Sequence, residues 1–544
     1  MNNSVFKVPA PVNEPVLEYR EGSKEKAELK AALKELSEQY IEIPVIVGGK
    51  NVKTDNFVEI TAPFDHNIKL GKYYQAGENE VKEAVKASMD ARKAWGKMPW
   101  FQRAGIFLKA AELMSTKYRA LINAATMLSI GKTAVQAEID SACELIDFLR
   151  FNVHYMQQIY SEQPMHNSKG LWNSIQYRPL EGFILALTPF NFTAIAGNLP
   201  TAPAMMGNTA VWKPSSDAVY VPYLILKILK EAGLPDGVIN FIPCKSSVMS
   251  DIIFSDRDFG GIHFTGGTST FKTIWETIGK NVWNYKSYPR IVGETGGKDY
   301  IFAHNSADMD ALVTASVRGA FEYQGQKCSA ASRAYIPNSM KDEYMKKMKE
   351  VIGTIKMGSP FDFTNFMTAV VSKKAFKDIT GYIDFAKEAS DAEIAIGGNY
   401  DDTKGWFIEP TVITTQNLEF KTFKEEIFVP VLTVTFYDDA KYEEYLELCN
   451  SGNEYALTGA IFAQDRLAIN TAFEILEDSA GNFYINDKPT GAVVGQQPFG
   501  GGRGSGTNDK AGSYLNLIRW VNTRTVKENF VPPVSIGYPH IEAE

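Results

Sequence analysis

Along this chain, windows in which apolar residues recur at helical spacing alternate with short unbroken apolar blocks. Between Ser23 and Tyr40, Leu29, Leu33 and Leu36 fall on one face among Lys and Glu, which predicts an amphipathic helix. A short β-like piece covers 43–47, and helical patterns return over 78–95, 100–119 and, as one long helix, 132–158. Glu144, Asp147 and Arg150, near the middle of that last helix, read as surface charges. From residue 183 the order is regular: apolar blocks at 183–187, 209–212, 238–242 and 260–264 read as buried strands, with helices among them that include 219–232 and 271–278. A second series between 293 and 487 mixes strands at 300–302, 333–336 and 431–436 with helices at 309–322, 341–352 and 376–389. Alternation of this kind predicts an α/β protein with two doubly wound parallel sheets. Ligands of such sheets sit outside the carboxyl ends of the strands, the rim occupied here by Thr188, Lys213 and Thr265. One stretch breaks the order: 167–178 turns β-like, an antiparallel excursion that does not fit inside a compact αβ unit.

Reactive side chains stand at the ends of these elements. Cys328 lies in Phe321-Glu-Tyr-Gln-Gly-Gln-Lys-Cys-Ser-Ala330, where a helical pattern over 308–323 has run out, and this context predicts an exposed thiol. A thiol is nucleophilic as its thiolate, which a neighbouring cation or base must favour; Lys327 is adjacent in sequence. Taken alone, Cys328 fits a small core residue better, as most free cysteines do. Glu294 ends an apolar run just before a Gly pair and could act as a base, and Asn191 ends the block that starts at 183 with an amide able to donate to an oxyanion. The Gly-rich turn Phe264-Thr-Gly-Gly-Thr-Ser-Thr270 would present helix N–H groups to a pyrophosphate. It is not a GxGxxG turn, so by itself it fits a plain connecting loop as well.

Together these segments resemble the aldehyde dehydrogenase superfamily from about Pro15 to about Glu528. More narrowly, Thr188-Pro-Phe-Asn-Phe-Thr-Ala194, the Cys328 segment, Ala480-Gly-Asn-Phe-Tyr-Ile-Asn-Asp-Lys488 and Val494-Gly-Gln-Gln-Pro-Phe-Gly-Gly501 resemble its branch acting on L-glutamate γ-semialdehyde. The resemblance implies an aldehyde dehydrogenase-like fold: an NAD-binding domain from 1–156 and 179–292, a catalytic domain from 293–512, and a small β oligomerisation flap from 157–178 and 513–530. In the flap a hairpin in the excursion would join a C-terminal strand at about 515–526. Cys328 is implied as nucleophile, Glu294 as the base that activates water, and Asn191 as oxyanion donor. NAD would be held by Thr188, Lys213, Gly266, Gly267, Thr268, Ser269 and Thr270, with Glu426 on the nicotinamide ribose and Phe428 beside the nicotinamide. Without the resemblance, the carboxylates of Lys424-Glu-Glu-Ile-Phe-Val-Pro430 read as solvated charges.

For the substrate, backbone N–H groups of Gly491 and Ala492 and the Ser329 hydroxyl would anchor an α-carboxylate, Phe192 and Phe499 would flank the chain, and Glu144 is a minor candidate for the amino group. Two positions depart from relatives. Ser216 stands where many NAD-using members carry a Glu for the adenosine ribose, so NADP is not repelled there; Ala492 stands where some carry Ser. The implied reaction is the NAD-dependent oxidation of L-glutamate γ-semialdehyde, formed from 1-pyrroline-5-carboxylate, to L-glutamate in proline breakdown, through a cysteine thiohemiacetal and thioester. Succinate semialdehyde is the next substrate to consider. A thiol hydrolase or acyltransferase using Cys328 and Glu294, or a non-catalytic scaffold, would leave the Gly-rich turn or the whole reactive set idle.

Composition narrows the rest. A chain of 544 residues exceeds the usual size of one core, so two or more domains are expected. A net charge of -8 without a long basic run opposes nucleic-acid binding. Cys143, Cys244, Cys328 and Cys449 are scattered without CxxC spacing, which opposes a disulfide framework and a metal site and favours a reducing compartment. Residues 1–10 carry no leader pattern, and no apolar run is long enough to cross a bilayer. The expected setting is therefore cytoplasmic, or the mitochondrial matrix for a processed form, with a small-molecule substrate, a homodimer or higher homo-oligomer, and a proline dehydrogenase as candidate partner.

Overall fold

The computed structural model describes residues 4–541; Met1–Asn3, the first of the positions read for a leader, lie outside them. The first sheet has seven strands in the order Arg290–Glu294, Phe259–Thr265, Phe183–Leu187, Ala210–Lys213, Ile239–Phe241, Val45–Val47, Lys50–Val52. Its first five run parallel, and the pair at the far edge is antiparallel. Because strand side chains alternate in direction, Ile184 and Ala186 enter one core while Phe183 and Leu185 enter another on the opposite face. That double burial is why the block at 183–187 is apolar without interruption. The second sheet repeats the plan in the order Ala392–Ile396, Thr411–Thr415, Val431–Tyr437, Ala331–Pro337, Asp299–Ala303, Thr458–Phe462, Asn482–Ile485. Here Tyr300 and Phe302 face one core, Ile301 and Ala303 the other. The boundary expected at 292/293 falls inside the strand Arg290–Glu294, which pairs with Phe259–Thr265, so the first sheet runs on to Glu294.

Several helical expectations are corrected. The pattern over 100–119 ends at Ser115, and a separate helix, Arg119–Ile130, follows. All of its residues but Ala120 and Leu121 are buried, so it lacks the polar stripe by which a surface helix is recognised. Gly131 closes it at φ +70°, a conformation that costs glycine nothing. The long helix beyond is Ala134–Ala137, a π-helical turn over Glu138–Cys143, and Glu144–Ser161. Its mid-helix charges are not a solvated face: Asp147 is buried, and Arg150 pairs with Glu14 at 2.6 Å.

The excursion supplies one strand rather than a hairpin. Leu171–Pro179 pairs antiparallel with Val521–Asn529 along nine residues, and this C-terminal strand starts later than expected because Tyr514–Ile518 is helical. The two strands stand as a separate two-stranded sheet.

Candidate active site

Two cavities meet at Cys328. The larger, a cleft of about 500 Å³, lies where the carboxyl ends of the first sheet face the segments leading into strands of the second. Thr188, Lys213 and the turn residues Gly266, Gly267 and Thr270 line it from the first sheet, and Glu426 and Phe428 from the second. The turn leads into the helix Thr268–Lys280, with Gly267 as N-cap. At Gly266 a Cβ would come within 2.8 Å of the Phe264 ring, which stacks on Phe271 with centroids 5.1 Å apart, so only glycine lets the chain pass here. Thr268 and Ser269 are not on the cleft wall; Thr268 is buried, its hydroxyl accepting from the Gly296 N–H at 3.4 Å, and Ser269 is exposed. Thr188 Oγ1 accepts from Trp212 Nε1 at 3.1 Å, and burial lowers the pKa of the Lys213 ammonium.

Glu426 approaches the chain so closely that a Cβ on Gly296 would sit 1.8 Å from its Oε2. Its Oε1 accepts from the Gly297 N–H at 3.1 Å, and burial pushes its pKa up to about 7. It is thus no solvated charge. Phe428 has φ +58° and meets Phe190 edge-on at 5.8 Å. Nearby, Lys298 Nζ is buried with no hydrogen-bond partner among the described residues. Asp217 and Lys374, also on the cleft, went unmarked in the sequence, whereas Ser216 is not on its wall. Burial raises the Asp217 pKa against the pull of Lys213 and Lys374.

Cys328 is presented by a strained turn. The helix Met309–Phe321, capped where Asp308 Oδ1 accepts from the Ala311 N–H at 2.9 Å, runs into a tight turn at Glu322–Gly325 in which Tyr323 and Gln324 have φ +53° and +55°. The Gln324 amide fixes that turn: its Nε2, with two protons to donate, lies 2.8–3.1 Å from Gly131 O, Thr368 Oγ1 and Ala369 O, and its Oε1 accepts from the Thr368 N–H at 3.0 Å. The thiol is half-buried rather than exposed. Burial, with Asp299, Glu426 and Glu294 nearby, pushes its pKa well above the ordinary value. Lys327 does not relieve this: its ammonium is buried and lies 3.6 Å from Glu322 and 3.8 Å from Asp140. Asn191 is buried on the cleft wall, and its amide makes no hydrogen bond among the described residues. Glu294 ends its strand but lines neither cavity; its Oε2 accepts from the Gly501 N–H at 2.8 Å, and burial raises its pKa well above the usual carboxylate range.

The second cavity, about 310 Å³, brings Phe192, Ser329, Gly491, Ala492, Phe499 and Glu144 together. Gly491 has φ +97°, and Ser329 Oγ is bonded to Thr490 Oγ1 at 2.8 Å. Behind Phe192, the buried Lys132 ammonium sits 4.4 Å from the ring centroid and 2.7 Å from Asp140. Glu144 has no hydrogen bond or ion pair among the described residues; burial, then the charge of Asp140, raises its pKa well above normal. Asn13, Glu14 and Val16, which carry no local motif, also line this cavity. Asp147, read as solvated, lines it too.

Residues 51–526 match the Aldehyde dehydrogenase family. Among similar proteins, the Delta-1-pyrroline-5-carboxylate dehydrogenase, mitochondrial, of Dictyostelium discoideum is 51% identical over 536 residues, 98% of this chain and 96% of its own. The human protein of that name is 44% identical, across 97% of this chain and 94% of its own. A crystal structure of the Mycobacterium tuberculosis Delta-pyrroline-5-carboxylate dehydrogenase bound with NAD superposes with a TM-score of 0.96 at 46% identity, covering 100% of both chains. With the family match spanning most of its length and the fold shared throughout, the chain belongs to the aldehyde dehydrogenase family.

Proposed function

We propose that this enzyme oxidises L-glutamate γ-semialdehyde, the open form of 1-pyrroline-5-carboxylate, to L-glutamate with NAD. The observation that carries the reading is that Cys328 lines both cavities: one has a glycine turn at a helix N-terminus, the other a positive-φ glycine loop and an unpaired carboxylate. The names of the relatives above agree with it.

The cleft suits a nicotinamide dinucleotide. At Gly266 a side chain would collide with Phe264, and at Gly296 with Glu426, so both stretches of wall keep bare backbone toward the cleft. Gly266, Gly267, Thr270 and the helix start at Thr268–Ser269 would hold the pyrophosphate, Lys213 and Thr188 would lie along the dinucleotide, and Glu426 and Phe428 would hold the nicotinamide end. Bound there, NAD supplies the hydride acceptor.

Cys328, its thiol proton passed to water in the cleft, adds as the thiolate to the aldehyde carbon, and the Asn191 amide and the Cys328 N–H donate to the oxyanion. One such donor contributes about 2.7–4 kcal/mol to the transition state. Loss of hydride from the thiohemiacetal leaves a thioester on Cys328. Glu294 then takes a proton from the water that splits it. Because its carboxylate rests against Gly501 at 2.8 Å, this requires a turn of the side chain toward Cys328.

In the substrate cavity, N–H groups at Gly491 and Ala492 with Ser329 hold the α-carboxylate, and Phe192 and Phe499 flank the chain. Glu144 offers an unpaired carboxyl whose raised pKa the entering ammonium would bring back down, so the charged pair forms on binding; this favours glutamate semialdehyde over succinate semialdehyde, a substrate with no ammonium. The Leu171–Pro179 and Val521–Asn529 strands serve oligomerisation, and a proline dehydrogenase supplies the substrate. Four free cysteines suit the cytoplasm or the mitochondrial matrix. The test is NADH formation with glutamate semialdehyde, succinate semialdehyde and propanal, each with NAD and NADP. A higher specificity constant for either competing aldehyde, or for NADP, would refute the corresponding part of the proposal.

A further inference from the structure

Residues 4–20 form no helix or strand, yet this segment is tied down at defined points along the helices between Ala134 and Ser161. Val8 N–H donates to Gln157 Oε1 at 2.6 Å, and Leu17 N–H and the Tyr19 hydroxyl donate to the two oxygens of Glu138 at 2.9 and 2.6 Å. Glu14 is gripped by Arg119 and by Arg150, the latter at 2.6 Å, and its N–H donates to Asp147 Oδ1 at 2.7 Å. Asn13 carries the connection across the cavity. Its amide nitrogen donates to Asp147 Oδ2 at 2.7 Å and to Val494 O at 2.8 Å, while its oxygen accepts from Gln496 Nε2 at 3.0 Å. Both amide protons are thereby used. One side chain thus links a helix to the segment that follows Gly491 and Ala492.

We infer that residues 13–16 are a specificity wall of the aldehyde cavity, and that Asn13 is a positioning residue that sets the 491–494 segment against the substrate. The inference rests on the assignment of that cavity to the aldehyde. Asn13, Glu14 and Val16 line it directly. The family match spans residues 51–526, so this wall is contributed by chain that precedes the matched span. The wall also shapes the local charge. It occupies both oxygens of Asp147 and engages Arg119 and Arg150 through Glu14, leaving Glu144 as the cavity carboxylate without a hydrogen bond or ion pair among the described residues.

The test is Asn13→Ala in the full chain, with steady-state kinetics on glutamate semialdehyde and on propanal. An aldehyde without a carboxylate does not need the positioned loop. For glutamate semialdehyde, kcat/KM should fall ~10-fold, chiefly through KM, the scale of losing two or so neutral hydrogen bonds. For propanal it should stay within about twofold, as should the KM for NAD. Gln496→Ala, which cuts the contact to the Asn13 oxygen and trims an exposed side chain at the cavity edge, should shift KM for glutamate semialdehyde the same way by about threefold with propanal unchanged, and it decides the matter if Asn13→Ala does not fold. Equal losses for both aldehydes, or no change in either variant, overturn the inference while leaving the proposed reaction standing. A wild type that forms no NADH from glutamate semialdehyde overturns the reaction, and the inference with it.

Discussion

Burial raises the pKa of both the Cys328 thiol and the Glu294 carboxyl well above their ordinary values, and this shapes what each does with pH. The folded state favours neutral Glu294, so its base form fills only as pH rises past a value well above the ordinary 4.5. The rate of thioester hydrolysis should therefore still be climbing with pH where an ordinary carboxyl is already fully ionised. Glu294→Gln should lose that limb and show a burst of NADH followed by slow turnover in rapid mixing; uniform slowing without a burst would move Glu294 to an earlier step. The linkage has a second sign to check. A carboxyl whose folded pKa is raised contributes stability present at low pH and lost as pH rises through the folded value, so the neutral glutamine should make the protein relatively more resistant to urea at alkaline than at acid pH. Equal urea midpoints relative to wild type across pH would contradict the shift.

Among the elements, the loop carrying Gly491 is proposed as a backbone cradle, and Gly491 has φ +97°, a conformation in which a side chain is strained. A Cβ there would meet only the mobile end of Lys488, at 2.8 Å, so Gly491→Val acts through backbone conformation rather than through a clash. Hydrogen bonds to a charged group are worth roughly 1.5–3 kcal/mol each, and kcat/KM for glutamate semialdehyde should fall about ten- to a hundredfold, with propanal affected much less. Ala492→Ser should be tolerated. If both substrates fall together, the loop is structural and the carboxylate is held elsewhere. Cys328, Asn191 and Gly491, which line the two cavities, stood out in the sequence because each sits in a contiguous run of distinctive neighbours; Glu294 does too, but it ends a strand and lines neither cavity. Strands buried on both faces were legible as apolar blocks, as at 183–187. The helix Arg119–Ile130 was not, because burial nearly all round erases the amphipathic period. Nor were Asn13 and Glu14, whose partners are 105 to 483 residues away and leave no local pattern. Asp147 and Arg150 were misread for the same reason: the charges that hold them come from that distant segment.

For the whole molecule, two sheets of seven strands are set so that the carboxyl ends of one meet the lead-in segments of the other, with the thiol between them. The nine-residue ladder of Leu171–Pro179 and Val521–Asn529 belongs to neither sheet, and an isolated pair of strands is marginal in water. A second copy covering its open edges would stabilise it. Thr525 pairs with Ile175 in this ladder, and Thr525→Pro removes an N–H that serves either that pairing or the open edge. The variant should shift to monomer by light scattering; an unchanged mass, or a monomeric wild type, would refute the flap's role. The central claim is that Cys328 carries the aldehyde of glutamate semialdehyde to an acid at the expense of NAD. It is tested most directly by measuring NADH and L-glutamate together, from glutamate semialdehyde and NAD, with wild type and with Cys328→Ala whose NAD binding has been verified by calorimetry. The account predicts equal amounts of the two products from the wild type and less than about one per cent of that rate from the variant. Turnover that survives in Cys328→Ala, or NADH without matching glutamate, would contradict it.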